Sequence, residues 1–173
     1  AAGIDADGLA ARVRIQVDAF LDGEDAAPAL ETRDADPVMA AYHRFRCDVT
    51  TALVREIRAA VRPGVAVKVI STCQRPHATA YLEGHDLAAL DAVSDGLELP
   101  LYQPDAQAVL ADGGYVLARV PAERTSVILR PGHPDLTTQG DLDAALCGLR
   151  SLGVGDFAFY NLGLLRAADL KRF

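Results

Sequence analysis

Four short apolar runs each carry one side chain able to do chemistry. Residues 65–72 (VAVKVIST) hold Lys68, residues 96–102 (GLELPLY) hold Glu98, residues 126–131 (SVILRP) hold Arg130, and residues 157–161 (FAFYN) hold Tyr160. A carboxylic acid such as Glu98 suits proton transfer or nucleophilic attack, and hydrolysis of a glycoside needs two such groups at a set separation. A lysine taken out of water becomes nucleophilic, so Lys68 could form a Schiff base with a carbonyl substrate. Arg130 offers a planar fork that matches a carboxylate or phosphate. Tyr102 and Tyr160 end their runs and present ring faces on which a sugar could stack. Asn161 could bond a sugar hydroxyl, or cap a following helix. Each has a plainer alternative. Lys68, Glu98 and Arg130 could form a structural set of ion pairs, and the tyrosines could pack in a core with their hydroxyls satisfied.

His77, His85 and His133 fall in segments that follow a run or precede a helix, where loops often carry function. His85 is taken as a candidate ligand contact, although a solitary loop histidine is more often merely solvated. His43 lies on a long helical segment and reads as structural. No two histidines stand at metal-ligand spacing, so neither a metal nor another cofactor is expected. Cys47, Cys73 and Cys147 are odd in number and match no zinc or CxxC pattern, which suits reduced thiols in a cytoplasmic protein. Only Cys73 follows a run directly, where a nucleophile could stand.

The elements that must position these residues alternate. Leu9, Val13, Val17, Phe20 and Leu21 have helical spacing, and residues 22–36 read as an acidic, proline-containing loop. Asp36-Pro37 opens a long helix whose stripe is Val38, Tyr42, Phe45, Val49, Leu53, Ile57 and Val61, stopped by Pro63-Gly64. Each of the four runs reads as a strand, the run at 65–72 as a buried one. Helices are expected after them: one capped by Asp86, one over 105–120 weakened by Gly113-Gly114, one opened by Thr138 and Asp141, and a closing helix from Leu164 to Phe173.

Strands alternating with helices require a parallel sheet with right-handed crossovers. The first run is followed by Thr72-Cys73-Gln74-Arg75-Pro76, which has no glycine to cradle a pyrophosphate, so an open dinucleotide-binding sheet is disfavoured. Period-two alternation gives each strand one apolar face: Val65, Val67 and Val69; Leu97, Leu99 and Leu101; Val127 and Leu129; Phe157 and Phe159. The opposite face holds Lys68, Glu98, Arg130 and Tyr160. Four polar groups on one face are cheapest when they meet around a barrel axis. The fold class is therefore α/β, four parallel strands alternating with helices, as in half of a (β/α)8 TIM barrel. The 173 residues form a single α/β unit, with leading helices over 1–62 and four strand–helix units over 63–173, a portion of a larger barrel. A complete barrel typically needs about 250 residues. The two outer strands would expose unpaired edges, so association with the missing N-terminal half or with another copy is expected. A net charge of −7 without a basic stripe argues against nucleic acid, and no run is long enough to cross a membrane.

From Tyr42 to Phe173 the chain resembles the C-terminal half of the glycoside-hydrolase-like (β/α)8 proteins of bacteria, a largely uncharacterised group. The resemblance rests on Phe45-Arg46 in the long helix, the strand Val67 to Ser71, Gly84-His85-Asp86-Leu87, Leu129-Arg130-Pro131 and Phe159-Tyr160-Asn161-Leu162-Gly163. It implies a carbohydrate ligand, Glu98 as a strand-end acid, a second carboxylate upstream, and a pocket shaped by Arg130, Tyr102, Tyr160, Asn161 and His85. Two alternatives stay open: a Schiff-base aldolase or lyase using Lys68, and a noncatalytic barrel binding a sugar or a protein partner.

Overall fold

Aspartate and threonine side chains set where the helices begin. Asp5, Asp36, Asp86, Asp105 and Thr138 each accept a hydrogen bond from a backbone N–H in the first turn of the helix that follows. Those N–H groups have no partner inside a helix, so a side-chain oxygen at this position fixes the start. The helices are α1 (Ala6–Leu21), α2 (Pro37–Ala60), α3 (Leu87–Val93), α4 (Ala106–Leu117) and α5 (Gln139–Ser151). The computed structural model describes residues 3–23, 36–72, 83–161, 163, 165–167 and 169–172. Most of the expected acidic loop, together with Cys73 and His77, lies outside the described residues.

Four strands, β1 (Lys68–Ile70), β2 (Gly96–Pro100), β3 (Thr125–Leu129) and β4 (Asp156–Phe159), form one sheet in sequence order. All three pairings are parallel. This is the arrangement that strand–helix alternation requires. At its N-terminal side, Asp95 holds the entry to β1: its carboxylate accepts from the Val67 N–H at 2.7 Å and pairs with Arg58 of α2 at 2.8 Å.

The outward face of the sheet supplies the core. Leu97, Leu99, Leu101, Val127 and Leu129 are fully buried, in one cluster with Leu90 of α3, Val109 and Val116 of α4, and Leu142, Ala145 and Leu149 of α5. The glycines expected to weaken α4 have a packing role instead. A Cβ on Gly113 would sit 2.7 Å from Leu149 Cδ2, and a Cβ on Gly148 of α5 would sit 2.5 Å from Leu110 Cδ2. Each helix thus has a glycine where a leucine of the other must fit.

Three expectations are corrected. The run at 65–72 is not a buried strand: only Lys68–Ile70 pair, and none of the three is buried. Its position explains this, because among the described residues β1 is an edge strand with one hydrogen-bonded neighbour. The closing helix from Leu164 to Phe173 is not formed as an α-helix in the described residues. A 3₁₀ turn, Asp169–Arg172, stands there, with the Asp169 carboxylate buried and holding Arg166 at 2.8 Å. Finally, the stripe read on α2 is not its buried face. Met39, His43, Cys47, Thr51 and Val54 are buried, while Phe45, Val49, Leu53 and Ile57 are exposed. Helix α1 has no buried residue at all.

The glycine packing separates two neighbouring substitutions. Gly113→Ala should destabilise the fold by about 1–3 kcal/mol, because Leu149 is fully buried and has little room to move. Gly114→Ala, with nothing within 4 Å of its Cβ, should stabilise by up to about 1 kcal/mol through helix propensity alone. Urea denaturation of the two variants checks both signs.

Candidate functional site

Opposite the core, register fixes which side chains share the second face. Ile70 aligns with Glu98, Glu98 with Ser126, and Ser126 with Asp156. Two residues further on, Pro100 aligns with Ile128 and Ile128 with Ala158. Lys68 precedes this row on the same face, and Tyr102, Arg130 and Tyr160 follow it beyond the strand ends. The face is open at its β1 edge among the described residues, where Ile70 is 61 % exposed.

Lys68 crosses the face. Its ammonium donates to Ser126 Oγ at 2.6 Å and to Asp156 Oδ2 at 3.0 Å. The Ser126 hydroxyl also donates to the same Asp156 oxygen. Lys68 is on the first strand and Asp156 on the fourth, three strand spacings away. In a flat sheet that is about 14 Å before any offset along the strands, more than these two side chains and one hydrogen bond can span. The sheet is therefore concave on this side, as a barrel wall is. Asp156 is held below its ordinary 3.8, first by the Ser126 hydrogen bond and then by Lys68. Glu98 is 4.0 Å from the ammonium, beyond hydrogen-bonding range, and accepts no hydrogen bond from the described residues. The lysine is thus the counter-ion of Asp156 more than of Glu98.

A second group gathers at the C-terminal ends of the strands. The Arg130 guanidinium carbon stands 4.7 Å from the centre of the Tyr102 ring, and the Tyr102 and Tyr160 rings are 5.8 Å apart and tilted by 31°. Arg130 Nε donates to the Asp135 carboxylate at 2.5 Å, so its ion pair is with this loop residue and not with Glu98. That hydrogen bond holds Arg130 above its ordinary value, and burial pushes the Tyr102 phenol up. Both keep their protons at neutral pH. Asn161 Oδ1 accepts from the Gly163 N–H at 3.0 Å, closing a turn where a helix cap was the alternative.

His85 belongs to neither group. Its Nδ1 lies 3.0 Å from the hydroxyl of Ser71, which is fully buried just beyond β1, and 3.9 Å from Glu83. Burial lowers its pKa below 6.5 against the opposing effect of Glu83. Cys47 is buried on α2, with its thiol pushed up to about 11 mainly by burial, which makes it a poor nucleophile. His43 is buried on the same helix with its ring 5.7 Å from that of Tyr42, and His133 is exposed. Among the described residues no three His, Cys, Asp or Glu side chains are grouped to hold a metal. No described helix is long and apolar enough to cross a membrane.

The candidates of the sequence therefore share one face but form two sets, Lys68 with Glu98 and Arg130 with Tyr102 and Tyr160. Asp156, Ser126 and Asp135 were missed as partners. Asp156 precedes the apolar run and reads as a turn residue, yet it stands two before Ala158 and four before Tyr160, so period-two alternation could have placed it.

Asp156 gives a pH-dependent signature. Its folded value lies below the unfolded one, so the ion pair contributes stability above pH 3.8 and loses it as pH falls through the folded value. Because Asp156 is largely exposed, Asp156→Asn should cost at most about 1 kcal/mol at pH 7. The difference from the parent protein should disappear at strongly acid pH in chemical denaturation.

No family model matches the chain, and no curated protein matches it in sequence. Among solved structures, its fold is similar to a chitinase from Chromobacterium violaceum, with a TM-score of 0.54 and 15 % identity. The match covers 83 % of this chain and 61 % of the chitinase chain, so the chain spans about three fifths of that protein's length. The likeness is one of fold: an α/β unit of four parallel strands alternating with helices, half of a barrel of the (β/α)8 kind.

Proposed function

We propose that the chain provides the sugar-binding second half of a glycoside-hydrolase-like barrel. In this reading Tyr102 and Tyr160 form a platform for a sugar ring, Arg130 and Asn161 bond its polar groups, and Glu98 is the carboxylate available for proton transfer. One observation carries the reading. An aromatic and guanidinium cluster stands at the C-terminal strand ends of a concave parallel sheet, on the same face as an acid that no described hydrogen bond engages. That end is where barrel enzymes keep their active sites. The fold likeness to a chitinase supports the same class. Hydrolysis calls for a partner carboxylate. Asp156 lies on this face, but Ser126 and Lys68 hold it, so the partner is assigned to the half of the barrel that would pair with the outer edges of β1 and β4, each of which has one neighbour among the described residues. Those strand–helix units come from an upstream segment or from a second copy.

A Schiff-base lyase is less well supported, because the Lys68 ammonium is engaged by Ser126 and Asp156 and would have to leave that pair to attack a carbonyl. Borohydride treatment with a carbonyl substrate should therefore leave Lys68 unmodified. Calorimetric titration with chitin- and cellulose-derived oligosaccharides tests the main reading. Tyr160→Ala should weaken binding at least about tenfold, since a lost stacking anchor at the centre of a site costs about 2 kcal/mol and about 1.4 kcal/mol is tenfold. Glu98→Gln should leave binding within about threefold and lower any hydrolysis by about 100-fold or more. Affinity unaffected by Tyr160→Ala would remove the platform and the carbohydrate assignment with it.

A further inference from the structure

We infer that the sugar taken at this face carries a carboxylate, so that the ligand class is a uronic-acid-type saccharide read by Arg130. This rests on the carbohydrate reading above and makes it more specific. The Arg130 side chain is fixed in two ways. Asp135 accepts from its Nε, and its guanidinium carbon lies over the Tyr102 ring, 4.7 Å from the ring centre. Neither contact uses the terminal Nη1 and Nη2 groups, which hold no hydrogen-bond partner among the described residues. Of the ion pair, the guanidinium side chain is 29 % exposed and the Asp135 side chain only 9 %, so a ligand reaches the cation and not its counter-charge.

A guanidinium held in a fixed plane with its terminal edge free matches the two oxygens of a carboxylate, through a pair of parallel charge-assisted hydrogen bonds. A neutral pyranose stacked on Tyr102 and Tyr160 would strip water from the same edge and return only hydroxyl acceptors, which are weaker partners for a cation. The remaining ionic groups of the face do not compete for the role. Lys68 is engaged by Ser126 and Asp156, and Glu98 and Asp156 would repel an acid sugar seated at their level. The acidic group is thereby directed to the strand ends, away from the two carboxylates.

Titration of the protein with cellohexaose and with its C6-oxidised polyglucuronate counterpart compares ligands that differ in the carboxylate alone. The uronate should bind at least about tenfold more tightly, as expected for added charge-assisted hydrogen bonds. The advantage should shrink as salt is raised. Arg130→Gln should abolish it, weakening uronate binding at least about tenfold more than cellohexaose binding. Should the single change unfold the protein by stranding the buried Asp135, the neutral pair Arg130→Gln with Asp135→Asn gives the same comparison. Equal affinity for the two ligands, or a uronate preference that survives loss of Arg130, overturns the inference and leaves the carbohydrate reading standing. Binding of neither ligand overturns the inference, and the chitin-derived series then decides the carbohydrate reading by itself.

Discussion

Burial of one face of the sheet against three helices is the constraint on which the remaining features depend. Leu97, Leu99, Leu101, Val127 and Leu129 are each removed from water, and a fully buried side chain of this size contributes about 1.5–3 kcal/mol. The Lys68–Asp156 pair crossing the other face is largely exposed, and such pairs contribute under about 1 kcal/mol. The leucine face therefore drives the fold. The ion pair follows from the curvature that this packing gives the sheet.

That asymmetry also produces the site. With Leu97, Leu99, Leu101, Val127 and Leu129 committed to the core, period-two alternation sends Lys68, Glu98, Ser126 and Arg130 to the opposite, concave surface, alongside Ile70 and Ile128. Parallel register then sorts them by height. Lys68, Glu98, Ser126 and Asp156 occupy the lower level, and Tyr102, Arg130 and Tyr160 the rim. At each level a carboxylate neutralises a cation, Asp156 for Lys68 and Asp135 for Arg130. Among the described residues Glu98 accepts no side-chain hydrogen bond and the terminal edge of Arg130 holds none, which is why the functional reading centres on them.

The leading helices follow a different rule. On α1 and α2 the residues Val13, Val17, Phe20, Phe45, Val49, Leu53 and Ile57 are exposed although they are spaced for burial. Among the described residues, β1 and β4 each have one hydrogen-bonded neighbour in the sheet.

Alternation of hydrophobic period, capping residues and glycine or proline stops were enough to read the α/β class, the strand order and the helix starts at Asp36, Asp86 and Thr138. These depend on near neighbours along the chain, and local spacing reports them directly. The same alternation placed Lys68, Glu98, Arg130 and Tyr160 on one face. Only the tertiary structure decided which of them meet. Lys68 finds Asp156 across the sheet, Arg130 finds Asp135 in the next loop, and His85 turns to Ser71, because partner choice depends on curvature and loop path. It also decided which stripe of α2 is buried, since periodicity says which side chains share a face but not what that face will meet.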